Sequence, residues 1–191
     1  DILLNGKSIS GLPPHIINRR GLSRSFQITN LFPRMTVAEN LRISVMGRHG
    51  YRFTMFRPVA GLGQVNNDVN DLIEQLRLTK RRDDLAGDLA YSEQRTLEIG
   101  MALATNPEIL ILDEPTAGMS REETIYIVDL IKSVTEGRTL LVVEHDMSVV
   151  FTLCDQISVL VYGEVIATGA PAVVRANPKV QEAYLGEEVH Q

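Results

Sequence analysis

The sequence predicts an α/β domain built on a largely parallel sheet, and three features carry that prediction. The runs Ile109-Leu110-Ile111-Leu112 and Thr139-Leu140-Leu141-Val142-Val143 are short and unbroken in hydrophobicity, as in strands covered on both faces. Between them Ile127, Leu130, Ile131 and Val134 recur at helical spacing behind the capping-box pair Ser120 and Glu123, and Gly137 stops the helix. This alternation, with 157–161 next in line, calls for helical crossovers joining parallel strands, and such sheets bind ligands at the carboxyl ends of their strands.

The remaining elements are readable in chain order. Asn5-Gly6 supplies the positive φ angles of a type I′ turn, so Ile2-Leu3-Leu4 and Lys7-Ser8-Ile9-Ser10 form a hairpin. Pro13-Pro14 opens a short helix that Gly21 ends; 22–27 is extended, and Pro33 interrupts. Residues 36–84 are helical and polar, with one helix opening at Val37-Ala38-Glu39-Asn40-Leu41 and another over 69–76. Residues 48–63 between them have no period and form a loop. After Ala86-Gly87-Asp88, Leu97, Gly100, Met101 and Ala104 make one helix face small enough to pack closely against a sheet, and Asn106-Pro107 ends that helix. Tyr162-Gly163 turns the chain back into Glu164-Val165-Ile166-Ala167-Thr168, and Asn177-Pro178 caps a last helix expected to stop at Gly186. Residues 1–191 are thus read as a single domain, with a helical subdomain over 36–100 and the core sheet and C-terminal helices over 101–191.

Composition narrows the function classes. With 44% hydrophobic and 23% charged residues the chain is that of a packed globular protein. Its 19 Lys and Arg against 24 Asp and Glu leave a net charge of −5, the wrong sign for gripping a phosphate backbone, so nucleic acid is not an expected partner. No apolar run is long enough to span a membrane, and Asp1-Ile2-Leu3-Leu4-Asn5-Gly6 lacks the features of an export signal. Cys154 has no second cysteine to pair with, and its neighbours Val149, Val150, Phe151 and Leu153 predict a buried thiol in a reducing compartment. His15, His49, His145 and His190 are scattered and show no zinc-ligand spacing.

Two strand ends carry the chemistry. Asp113 and Glu114 emerge where the apolar run 109–112 leaves the core, and such a pair can hold Mg²⁺ with one carboxylate and polarise a water with the other. Taken alone, it is as readily a solvated loop start. Glu144-His145-Asp146 follows the run 139–143, which puts an imidazole beside the expected place of those acids, where it could bond a γ-phosphate or orient water. A lone strand-end histidine is more often structural, so the order and spacing of the two sites decide the matter.

Residues 109–116 resemble the extended Walker B motif of ABC ATPases, and Glu144-His145-Asp146-Met147 resembles their switch histidine. Ser25-Phe26-Gln27, with Asn30-Leu31-Phe32-Pro33 and Thr36-Val37-Ala38-Glu39-Asn40, resembles the Q-loop and the segment after it. Leu89-Ala90-Tyr91-Ser92-Glu93-Gln94-Arg95 stands where the family has its signature segment. The resemblance implies the P-loop NTPase-like fold of an ABC ATPase, with an antiparallel β part and a helical subdomain. It implies that Asp113 holds Mg²⁺ through water, that Glu114 is the general base or water-polariser, that His145 contacts the γ-phosphate, and that Gln27 senses Mg²⁺ and the lytic water. Ala90, Tyr91, Ser92 and Glu93 would meet the ATP bound by a partner subunit. The closing stretch 176–186, with Ala117-Gly118-Met119-Ser120, is similar to the branched-chain amino acid importers and to their amide and urea relatives. The implied partners are a second ATPase subunit, equal or different, transmembrane permease subunits and, indirectly, a periplasmic solute-binding protein. The implied location is the cytoplasmic face of the inner membrane.

The pattern also breaks. The usual signature serine is Ala90 and the second glycine is Ser92, whose Cβ would be resisted if that site needed a positive φ or a close backbone approach. Losing a charge-assisted hydrogen bond costs roughly 1.5 to 3 kcal/mol, which predicts weakened turnover. The Asp of the family's D-loop is missing where 117–120 runs into Arg121. No G-x-x-x-x-G-K-[ST] occurs; Gly6-Lys7-Ser8 lacks the first glycine, where Asp1 stands, and lies in a hairpin. The family carries that phosphate loop a few dozen residues before its Q-loop, so the chain is expected to start after it, to bind ATP poorly alone and to leave an open sheet edge. Two other readings stay open: a non-hydrolysing regulatory or scaffold ABC domain, and a soluble ABC ATPase of translation or DNA repair.

Overall fold

A computed structural model describes residues 1–25, 31–51 and 62–188, and the chain divides into two compact units, Asp1–Val143 and Glu144–Gln191. The first unit opens with the hairpin β1 (Leu3–Leu4) and β2 (Lys7–Ser8), whose turn residues have φ of 48° at Asn5 and 75° at Gly6. Helix α1 (Pro14–Arg19) then leads into β3 (Leu22–Arg24). With β4 (Ile109–Asp113) and β5 (Thr139–Val143), β3 forms a three-stranded parallel sheet in the order β3-β4-β5.

The helical part comprises α2 (Val37–Arg48), α3 (Gly63–Gln75) and α4 (Tyr91–Leu103), with α5 (Arg121–Val134) crossing over between β4 and β5. Thr36 and Glu39 make a complete capping box at the head of α2, as Ser120 and Glu123 do at α5. Asn40 explains why an asparagine sits in an otherwise apolar helix face. It is fully buried; its amide donates to the carbonyls of Phe32, Met35 and Thr36, and its oxygen accepts from the Phe32 N–H at 2.9 Å, so one side chain fastens the entering loop to the helix. Asp68 of α3 meets both Arg48 and His49 at the end of α2, and the His49 hydrogen bond holds its carboxyl below the usual range.

The small-residue face of α4 is real, but Gly100 turns to other helices rather than to the sheet. A Cβ there would lie 2.2 Å from Leu76 Cδ1 and 3.1 Å from Leu41 Cδ2. The apolar run of β5 also departs from its reading. Leu141 is 49% and Val143 52% exposed, because hydrophobicity alone does not say which faces are covered.

The second unit contains α6 (Met147–Leu153), β6 (Ile157–Val161), β7 (Glu164–Gly169), α7 (Pro171–Arg175) and α8 (Pro178–Glu188). Among the described residues β6 pairs only with β7, antiparallel, and is not the next strand of the parallel sheet. The tight turn at Tyr162-Gly163, with φ of 48° and 84°, makes the antiparallel partner the adjacent one. Val150, Ile157, Val159, Val174 and Val180 form the core, and Cys154 lies half-buried against it, its thiol pushed up mainly by that burial. The sequence pattern does not reveal α7, and α8 continues through Gly186 to Glu188.

Candidate functional site

Three parallel strands end together in the first unit, and the acids stand at the central one. The Ser25 N–H donates to Ile111 O at 2.9 Å, and Asp113 pairs in register with Val143. The Asp113 carboxylate lies 2.8 Å from Arg24 Nη2 and is only partly exposed, so one cation of the chain already balances its charge. At Glu114 the strand breaks with a φ of 44°. For a residue with a Cβ this left-handed conformation costs on the order of 1–2 kcal/mol. Asn5 and Tyr162 lie in hairpin turns and Arg77 and Asn106 follow helix ends; among the described non-glycine residues with positive φ, Glu114 alone follows a parallel strand directly. Backbone strain of this kind gathers where a side chain must be aimed.

The break is held from two sides. The Glu114 N–H donates to Val143 O at 2.8 Å. From α4 comes Arg95, 5% exposed, whose Nη2 donates to Asp113 O at 2.7 Å and Glu114 O at 2.9 Å, and whose Nε reaches Pro115 O at 3.4 Å. Glu98, one turn along α4, accepts from Arg95 Nη1 at 2.9 Å and balances the buried charge. Sequence reading missed Arg95; the available signal was an Arg and a Glu three apart inside a helix otherwise read as packed.

Residues 90–93 lie at the head of the same helix. Ala90 is its N-cap, with φ −60° and ψ 155°, and its N–H donates to Glu93 Oε2 at 3.0 Å; alanine has no side-chain oxygen to complete the box. The Tyr91 hydroxyl donates to Ala117 O at 3.1 Å, tying the segment to the loop after β4. Ser92 is the second residue of α4 and has no positive φ, so its backbone conformation does not resist a Cβ. Its hydroxyl bonds Glu123, whose carboxyl is held below the usual range by the Ser120 N–H first, then by Ser92 and the Ser120 hydroxyl.

His145 belongs to the second unit, with its ring 76% exposed and Nδ1 3.8 Å from Glu144 Oε2. Asp146 after it is the N-cap of α6 and accepts from the Ser148 N–H at 2.8 Å, and the Ser148 hydroxyl is the main cause of its lowered carboxyl. Gln27 lies outside the described residues. The first unit therefore brings together Asp113, Glu114 and the 90–93 segment through Arg95 and Tyr91.

No cluster of three or more potential metal ligands occurs among the described residues. Asp113 and Glu114 nevertheless suit Mg²⁺ held with a nucleotide, since that ion takes one or two carboxylates and fills its other positions with water and phosphate oxygens.

Among the described residues no helix is long and apolar enough to cross a membrane. Residues 1–117 match the family model described as ABC transporter, and residues 164–190 match the one described as branched-chain amino acid ATP-binding cassette transporter. The chain belongs to the ATP-binding subunits of the ABC transporters. Among its relatives, the high-affinity branched-chain amino acid transport ATP-binding protein BraF of Pseudomonas aeruginosa is 39% identical over 97% of this chain and 76% of its own length. The corresponding LivG of Escherichia coli is 37% identical over the same shares. The solved structure of MJ1267, an ATP-binding cassette of an ABC transporter, superposes with a TM-score of 0.78 at 28% identity, covering 94% of this chain and 74% of that one.

Proposed function

We propose that this chain is the nucleotide-hydrolysing part of a transporter subunit that powers uptake of branched-chain amino acids or similar small solutes. The observation that carries the hydrolytic reading is Glu114, a carboxylate at the end of a central parallel strand whose main chain is held left-handed by bonds on both sides. In this reading Glu114 orients and polarises the attacking water, and Asp113 holds Mg²⁺ through water, with Arg24 as its counter-charge when no metal is bound. Mg²⁺, when present, neutralises charge on the phosphate oxygens. His145 contacts the γ-phosphate and Gln27 senses the metal and the lytic water. Residues 90–93 present the head of α4 to the nucleotide of a second ATPase subunit, where helix amides favour an anion.

The solute class rests on the names of BraF and LivG and on the match over 164–190. A relative named for another cargo, the lipopolysaccharide export protein LptB of Haemophilus influenzae, is 32% identical. Permease subunits in the membrane and a second ATPase subunit are the proposed partners, with the chain on the cytoplasmic face.

The test is Glu114→Gln in the full-length subunit. ATP binding should persist and phosphate release should fall to background; normal release would overturn the assignment. A non-hydrolysing role draws support from Ala90, which offers no hydroxyl at the helix head. Phosphate release stimulated by the permease subunits would exclude it.

A further inference from the structure

Arg95 has more bonds than charge balance requires. A buried guanidinium needs one carboxylate, and Glu98 supplies it from the same helix at 2.9 Å. Three further bonds of Arg95 go to main-chain carbonyls, those of Asp113, Glu114 and Pro115, successive residues that straddle the left-handed turn. On the other side of that turn the Glu114 N–H is tied to Val143 O of β5. With the peptide groups before and after Glu114 both fastened, its φ and ψ are set, and so is the direction in which its Cβ and carboxylate leave the chain. A lysine could balance Glu98, but a single ammonium cannot span three carbonyls as a planar fork does.

We infer that Arg95 is the positioning residue of Glu114: it holds the main chain in the strained conformation that aims the acid, and acts on the reaction only through that residue. The inference rests on the proposed role of Glu114.

The experiment compares Arg95→Lys, Glu98→Gln and Glu114→Gln in the full-length subunit. Phosphate release is measured per bound nucleotide, with the number of competent sites and their affinity taken from titration with a fluorescent ATP analogue, and folding followed by thermal melting. Arg95→Lys should lower kcat per bound nucleotide tenfold or more and leave the analogue's Kd within about twofold. A purely structural role would instead lower the number of competent sites and leave each survivor at wild-type rate, and that result would overturn the inference. Should Arg95→Lys fail to fold, Glu98→Gln decides. The amide oxygen still accepts from Arg95 but grips it less firmly, and a threefold or greater loss of kcat at unchanged Kd is expected; wild-type kcat would count against the inference. Normal turnover in Glu114→Gln would sink both the role of Glu114 and the inference built on it. Background turnover there, with full kcat in Arg95→Lys, would sink the inference alone.

Discussion

At Ala90 the chain has the extended N-cap backbone that serine fills best, yet no oxygen with which to receive the Glu93 N–H. Ala90→Ser should complete the box and add about 0.5–1 kcal/mol, which for a chain of this size raises the melting temperature by roughly 1–4 °C. If the helix head also meets a partner's nucleotide, the same variant should raise turnover, a gain that capping alone does not predict. The loss of phosphate release expected of Glu114→Gln belongs to this scale too. Single residues are unevenly legible in the sequence. Asp113 and Glu114 stand out because two acids end an apolar run. Arg95 does not, because beyond its nearby ion pair with Glu98 the bonds that tie it to the strand end go to carbonyls 18 to 20 positions away, and main-chain oxygens leave no trace in residue identity. Ser92 invites judgement by the glycine it replaces, whereas its hydroxyl is used within the chain, on Glu123.

Helices α2 and α5 begin with the same device, and it gives stability a predictable pH dependence. The Glu39 and Glu123 carboxyls both sit below their ordinary value of 4.5, mainly through the N–H groups of Thr36 and Ser120. Their folded values are depressed, so their contribution is fully present above the ordinary value and is lost as pH falls through the lower folded values. The urea midpoint of the wild type should therefore fall more steeply as pH drops below the ordinary value of 4.5 than that of Glu39→Gln/Glu123→Gln, whose amides do not titrate there. Packing on α4 supplies a second expectation at this scale. The terminal methyl of Leu76 would be the atom to yield to a Cβ at Gly100, but Leu76 is fully buried and has nowhere to swing. Gly100→Ala should cost about 1–3 kcal/mol in denaturant unfolding. Turn residues make both hairpins readable, since Asn5-Gly6 and Tyr162-Gly163 carry their geometry locally. The exposure of β5 and the pairing of β6 are not readable, because both depend on what lies across space from an apolar run.

Across the molecule, the Asp1–Val143 unit holds both strand-end acids and the helix head, and His145 belongs to the second unit. The α/β class and the family are legible because ordered motifs run from 25 to 147, and the family matches bear them out. The proposed pairing of two subunits predicts a mass change. Glu114→Gln of the full-length subunit with ATP and Mg²⁺ should scatter light as a particle of twice the monomer mass and return to monomer when ADP replaces ATP. An unchanged mass would count against residues 90–93 meeting a second subunit's nucleotide. The grip on Glu114 bears on how such a machine could be governed. That hold joins the side of a helix to the end of a strand through main-chain carbonyls, so it depends on how those two elements lie against each other. Bodily displacement of α4 relative to β4 would slacken it, which offers a mechanical throttle at this point.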